Sequence, residues 1–297
     1  MQNPNHISPD GKWLWNGTQW VPNYQSTADI PPQSPYHSSP APSRRASGGI
    51  GAGIVAALAA AWAYGKYVFL VLLKFPAAAT LLTGLLSFGV YALVYPWQVA
   101  IGIILLIFVH EMGHVVEIRR QGIHATAPIF IPIFGAAIFQ RSHASTPMKQ
   151  AQIGIAGPIA GTLGAIVSVV LFAATNNHIY LFWAYFGFLI NLFNLIPFGM
   201  LDGGWILAPV SKWIQLGGLA LLVVLFFIGV VNPLAILIVA LGIPSVYRRF
   251  KDRAYDAYLT QGPLSPRAAM GAAWLALVVI LGIGLFQTEQ LAVTFVR

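Results

Sequence analysis

The chain has no cysteine and very few charged residues. The first absence excludes disulfides and thiolate metal sites, so any bound metal must take imidazole and carboxylate ligands. The second absence says more. Only 8% of the 297 residues are Asp, Glu, Lys or Arg, and 57% are hydrophobic, whereas a soluble domain carries about 25% charged residues. A polytopic membrane protein is expected. Acidic residues are scarcest, eight in all. The formal net charge is +8, but the basic residues sit in short clusters between apolar runs. That is the pattern of cytoplasmic loops, not of a nucleic-acid groove, so no nucleic-acid partner is expected.

Residues 1–48 are rich in Pro, Ser, Asn and Gln and lack the apolar core of a cleaved signal. This stretch reads as a flexible cytoplasmic tail, with a linker over Ser34 to Ser47. One island interrupts it. Residues 10–22, DGKWLWNGTQWVP, set Asn16-Gly17 between aromatic, β-favouring residues, which predicts a small Trp-rich hairpin. The remainder, 49–297, is expected to form a multi-pass membrane domain.

Along that domain, 50–73 is apolar but carries Lys66 and ends at Lys74, so it either spans or lies in the interface with its lysines snorkelling. Spans are expected over Ala77–Val94, Val99–Ile118, Ala151–Ala174 and from Ile179 onward, the last broken by Pro197, Gly199, Gly203 and Gly204. Leu216–Val231, a short segment Leu234–Val246 and Ala268–Phe286 follow. The fold class is therefore an all-α polytopic membrane protein with about six to seven transmembrane segments. Arg119, Arg120, Arg141, Lys149, Lys212 and the 248–253 cluster fall on one side, while the turns at 95–98, 175–178 and 232–233 carry no Lys or Arg. By the positive-inside rule the basic side is cytoplasmic, and the motif described next lies toward it.

That motif is His110-Glu111-Met112-Gly113-His114, inside an apolar run. On a helix, H-E-x-x-H places two imidazoles on one face with a carboxylate between them: two metal ligands and a general base. Ionisable groups at membrane depth are costly and mark functional sites. A hydrolytic zinc site needs a third protein ligand and an open position for water. Asp10 and Asp29 lie in the tail, Asp252 and Asp256 in a basic loop, and Glu289 near the C-terminal end. Glu117 sits on the motif helix beside Arg119 and Arg120 and is expected to pair with them. Asp202 remains, in Asn194-Leu195-Ile196-Pro197-Phe198-Gly199-Met200-Leu201-Asp202-Gly203-Gly204, at the broken end of a span. Discontinuous membrane helices often frame ion sites.

The pair of motifs, H-E-x-x-H and a distal N-x-x-P-x-x-x-L-D-G, resembles the site-2 proteases, the intramembrane zinc metalloproteases. Gly157-Pro158-Ile159-Ala160-Gly161 resembles a further element of that family. The resemblance covers roughly residues 75–250. It implies that His110, His114 and Asp202 bind Zn2+, that Glu111 is the base, and that Asn194 assists at the scissile bond. It also implies transmembrane protein substrates within the lipid bilayer of a cell membrane, bacterial in type. The chain departs from the best-known subtypes: no PDZ-like domain fits into the turn at 175–178, and no regulatory nucleotide-binding domain is expected after Phe286.

A helical substrate hides its carbonyls and must unwind before attack. Residues 128–139, PIFIPIFGAAIF, are too short and Pro-rich for a spanning helix, and their Ile and Phe favour strands. A short membrane-associated β-hairpin or re-entrant loop is expected there, with an edge suited to holding an extended peptide. The flanking His124 and His143 are expected to be loop histidines, not ligands. Three other functions fit parts of the pattern: a membrane metal transporter or metal-binding protein, a membrane zinc protease of another family, and an inactive binding homologue. The spans outside the motifs carry almost no polar ionisable residues, which argues against transport. The intact His110, Glu111, His114 and Asp202 set argues against an inactive homologue.

Overall fold

A computed structural model describes residues 6–23, scattered positions between 53 and 67, and residues 75–140, 142, 144–229 and 234–296. The expected linker lies outside the described residues, as do His143, Arg141 and most of 50–73. The chain divides into two units, Met1–Tyr64 and Gly65–Arg297.

In the first unit the Trp-rich island is a hairpin. Strands β1 (Trp13–Trp15) and β2 (Trp20–Pro22) pair antiparallel, with Trp13 opposite Pro22 and Trp15 opposite Trp20. The turn holds four residues, Asn16 to Gln19. Asn16 Oδ1 accepts from the backbone N–H of Thr18 at 3.0 Å and of Gln19 at 2.9 Å, and Gly17 takes φ +100°. The Asn-Gly pair thus turns the chain through side-chain bonding as well as through glycine's left-handed freedom. Trp15 and Trp20 meet edge to face at 5.5 Å.

The second unit is built on helices. In chain order they are α1 (Pro76–Ala92), α2 (Trp97–Arg120), α3 (Pro147–Thr175), α4 (His178–Asn194), the single-turn α5 (Asp202–Ile206), α6 (Lys212–Phe227), α7 (Leu234–Lys251), α8 (Arg253–Leu259) and α9 (Leu264–Val296). Among the described helices, α2, α3 and α9 are long and apolar enough to cross a membrane, while α1 and α6 are apolar but shorter. Local sequence sets the ends. Arg119 and Arg120 occupy the last turn of α2, where cations meet the negative end of the helix dipole. Thr146 caps α3 by accepting from Lys149 N–H at 3.2 Å, followed by Pro147 in the first turn. Asn176, in the left-handed conformation, ends α3 within the expected polar turn. Several expected boundaries move: α6 starts at Lys212 and ends at Phe227, α7 runs on to Lys251, which places Arg248 and Arg249 in its last turn, and α9 runs from Leu264 to Val296.

Strands β3 (Ile129–Ile131) and β4 (Gly135–Ala137) form the expected hairpin, with Phe130 opposite Ala136. Its β3 side is fastened to α1. Thr80 Oγ1 donates to the Pro128 carbonyl at 2.6 Å, Phe130 N–H donates to Thr83 Oγ1 at 3.1 Å, and the buried Phe130 ring packs against Gly84. Backbone away from helix and water must find such partners, since an unmatched N–H in an apolar setting is costly.

Replacing Thr83 by Val keeps the shape and removes the acceptor for Phe130 N–H. Loss of this one bond, worth about 1 kcal/mol, should speed exchange of the Phe130 amide about fivefold. Hydrogen exchange read by mass spectrometry on the 128–139 peptide checks it; unchanged protection would show that the hairpin is held by packing alone.

Candidate metal centre

The site begins with helical periodicity. His110 and His114, one turn apart on α2, present their rings on one face, 4.9 Å between centroids. Both point toward α3 and α4, and each Nδ1 is engaged there. His114 Nδ1 lies 2.7 Å from the carbonyl of Ile153 on α3. His110 Nδ1 lies 2.8 Å from Oδ1 of Asn191 on α4, and the Asn191 amide nitrogen donates to the Gly187 carbonyl at 2.7 Å. A carbonyl oxygen can only accept, so both Nδ1 atoms carry the proton. In the neutral form of each ring, the form that binds a metal, Nε2 is then left with a bare lone pair.

Those lone pairs face each other and a carboxylate. His110 Nε2 is 3.2 Å from His114 Nε2 and 3.1 Å from Asp202 Oδ2; His114 Nε2 is 3.4 Å from Asp202 Oδ1. No proton lies between these acceptors in that tautomer, and the buried Asp202 Oδ2 makes no hydrogen bond. Converging acceptors without donors repel unless a cation sits among them. The separations suit one: a tetrahedral zinc ion with bonds of about 2.0–2.1 Å has ligand–ligand edges of about 3.3 Å. His110, His114 and Asp202 are the group among the described residues whose ligand atoms all lie within 4.8 Å of one another.

Packing explains why this arrangement can form. A Cβ at Gly157 would overlap the His114 ring, and one at Gly161 would overlap the Asn191 amide. The two glycines of the G-P-I-A-G element thus make room for the His114 imidazole and for Asn191, which orients the His110 ring. Asp202 opens α5 after the irregular stretch that follows α4, and its side chain is 16% exposed.

Glu111 is buried beside the cluster, within electrostatic reach of His110, His114 and Asp202. Glu117 is elsewhere: it holds Arg120 through bonds of 2.6 and 2.8 Å and Gln121 through one of 2.8 Å. That fits the expected ion pair and removes it as a ligand. His124 is exposed on its loop and is not in the cluster. Asn194 lies one turn beyond Asn191 on α4. Its amide nitrogen donates to the Ile190 carbonyl at 3.1 Å, and among the described residues no hydrogen bond joins it to His110, His114 or Asp202. Asn191 is the residue that sequence reasoning missed. Its one signal was a polar side chain one turn before Asn194 in an otherwise apolar helix.

Comparison with known proteins agrees with this geometry. Residues 98–178 match the model of peptidase family M50, a stretch that carries both histidines, Glu111 and the glycine pair. The chain is also 30% identical over 148 residues to “Putative zinc metalloprotease Rip3” of Mycobacterium tuberculosis, in strain Erdman and in strain H37Rv alike. That alignment covers 42% of this chain and 34% of the relative, so the chain spans about a third of the length of the relative it matches. The resemblance to the site-2 proteases read from the two motifs is borne out by these matches. Together with the three-ligand group and the apolar helices, they support a membrane zinc protease.

Two substitutions separate ligand from support. Asp202→Ala should abolish zinc binding, because it removes one of the three candidate ligands. Asn191→Leu should leave the ligands in place but free the His110 ring, raising the zinc dissociation constant about 10–100-fold. Chelator competition on the purified variants reads both. Full zinc occupancy in Asp202→Ala would place the third ligand elsewhere.

Proposed function

We propose that this chain is an intramembrane zinc endopeptidase that cuts transmembrane protein substrates from a multi-pass position in a bacterial cell membrane. The observation that carries this reading is the meeting of two imidazole nitrogens from a membrane-length helix with the Asp202 carboxylate from α5, with Glu111 buried next to them. His110, His114 and Asp202 would hold the ion. Bound zinc supplies a water of lowered pKa and a Lewis acid for the scissile carbonyl. Glu111 takes a proton from the attacking water and returns it to the leaving amine. Asn194 is read as a hydrogen-bond donor to the substrate; in this role its amide exchanges the Ile190 carbonyl for the peptide. We also read residues 1–48 as a cytoplasmic tail and 49–297 as a protease domain with six to seven spans, its site toward the cytoplasm.

The hairpin supports an extended substrate. Phe130 N–H points out of the ladder to Thr83. In an antiparallel pair such groups alternate, so Phe130 and Ala136 form a non-hydrogen-bonded pair. The N–H and C=O of Ala136 therefore point away from β3, while those of Ala137 pair with Ile129. With α1 covering the β3 side, the outer edge of β4 is the one suited to adding a strand.

Glu111→Gln should retain zinc and lower cleavage of a transmembrane substrate by about 10²–10⁴-fold, the usual worth of a general base. Wild-type turnover in a purified detergent assay would remove Glu111 from that role. Ala136→Pro should slow cleavage on the order of tenfold, with zinc content and hairpin protection kept, since it deletes an outward N–H. Ala137→Pro should instead loosen the hairpin. An Ala136→Pro enzyme that cuts at the wild-type rate would reduce the hairpin to a packing element.

A further inference from the structure

The chain between α4 and α6 carries Asp202 on one helical turn flanked by irregular backbone. Such a segment leaves carbonyls without helical partners, and those buried away from water need partners from the protein. Five of these carbonyls are met by side chains from later helices. Trp274 Nε1 of α9 donates to Leu195 at 2.8 Å, and Gln215 Nε2 of α6 donates to Gly204 at 3.2 Å. Arg249 Nη2 of α7 donates to Ala208. Arg267 of α9 spans two, with Nε donating to Pro209 at 2.6 Å and Nη2 to Val210 at 3.0 Å. Leu195 and Val210 bracket Asp202 on either side.

The donors are themselves fixed. Arg249 has a fully buried side chain, and its Nε is bound to Asp256 Oδ1 at 2.8 Å, a carboxylate also paired with Lys212 at 3.2 Å. Trp274, Met270 and Leu277 of α9 pack on the core formed by Leu195, Ile206, Leu207 and Leu281. The Asp202 segment is thus held from both ends by groups that the chain supplies after residue 211.

We infer that α9 is part of the metal centre: Arg267 and Trp274, assisted by Arg249 and Gln215, are positioning residues that set where the Asp202 carboxylate stands relative to His110 and His114. This inference rests on the zinc-site reading above. It adds a helix that lies beyond the stretch matching peptidase family M50, and it assigns basic residues a role distinct from membrane orientation.

The test uses the full chain, purified in detergent, with zinc and cobalt as probes. Arg267→Met should raise the zinc dissociation constant about tenfold, at the low end of what removing outer-shell support costs, and Arg267→Lys should restore part of the loss. At saturating Co2+ the visible absorption bands of Arg267→Met should shift, because they report ligand geometry. Arg120→Met, which breaks an exposed pair on the motif helix, should leave both measurements at wild-type values. A merely structural role for Arg267 would lower the unfolding temperature of the metal-free protein and leave the cobalt spectrum unmoved. If Arg267→Met fails to fold, Trp274→Phe, which removes the indole N–H together with part of the ring, takes its place. Wild-type zinc affinity together with a wild-type cobalt spectrum in these variants would overturn the inference. If the unaltered protein binds no zinc, or His110→Ala binds it as tightly, the zinc-site reading itself falls, and this inference with it.

Discussion

Three hydrogen-bond acceptors, forced to within 3.1–3.4 Å of one another, are the constraint on which the rest of the structure depends. Two neutral imidazole nitrogens and a carboxylate have no reason to approach so closely, and in apolar surroundings the arrangement is unfavourable without a cation. It is held by surrounding groups. The Ile153 carbonyl and Asn191 fix which nitrogen of each ring carries the proton. The short helix α5 delivers the carboxylate from a separate stretch of chain. A zinc site built this way depends as much on the groups that fix tautomer and orientation as on the ligands.

The membrane setting makes the same demand on the backbone. Two irregular stretches sit among the helices, the 125–140 hairpin and the 195–211 segment. Each is satisfied by side chains of neighbouring helices: threonines of α1 for the hairpin, and tryptophan, glutamine and arginines of α6, α7 and α9 for the Asp202 segment. In lipid such stretches persist only where protein satisfies their polar groups. Among the described residues, no side-chain bond of this kind meets the side of β4 that faces away from β3. A strand edge left open is a liability unless something pairs with it, and the strand addition proposed above would pair it.

What could be read from the sequence follows how local each feature is. The histidines and Glu111 were legible because their geometry is fixed by helical spacing within five residues. Asp202 was legible by scarcity, since so few carboxylates exist in the chain to compete with it. The 128–139 hairpin was legible from its Pro, Gly and β-branched residues. Asn191 was not, because its role depends on where α4 meets α2, and a lone Asn in an apolar helix has many explanations. The number of spans was not legible either: α1, α4 and α6 are 17, 17 and 16 residues long, near the lower limit for crossing. Hydropathy alone does not decide such cases.

The basic residues show how one residue type serves two physical roles, decided by burial. Clustered Lys and Arg orient the chain in the bilayer, and sequence reads that role directly. Arg120 fits it: its side chain is 66% exposed and its pair with Glu117 lies within one helical turn. Arg249 does not, because its side chain is 1% exposed. A buried guanidinium is expensive unless it is paired and hydrogen-bonded; here Nε is matched by Asp256 and Nη2 by a backbone carbonyl of the segment that presents Asp202, while Nη1 makes no hydrogen bond among the described residues. A contact to a carbonyl carries no signature in the sequence, because every residue has one. The same cluster that reads as a topology signal along the chain therefore includes, in three dimensions, a structural tie to the segment that brings Asp202 to the two histidines.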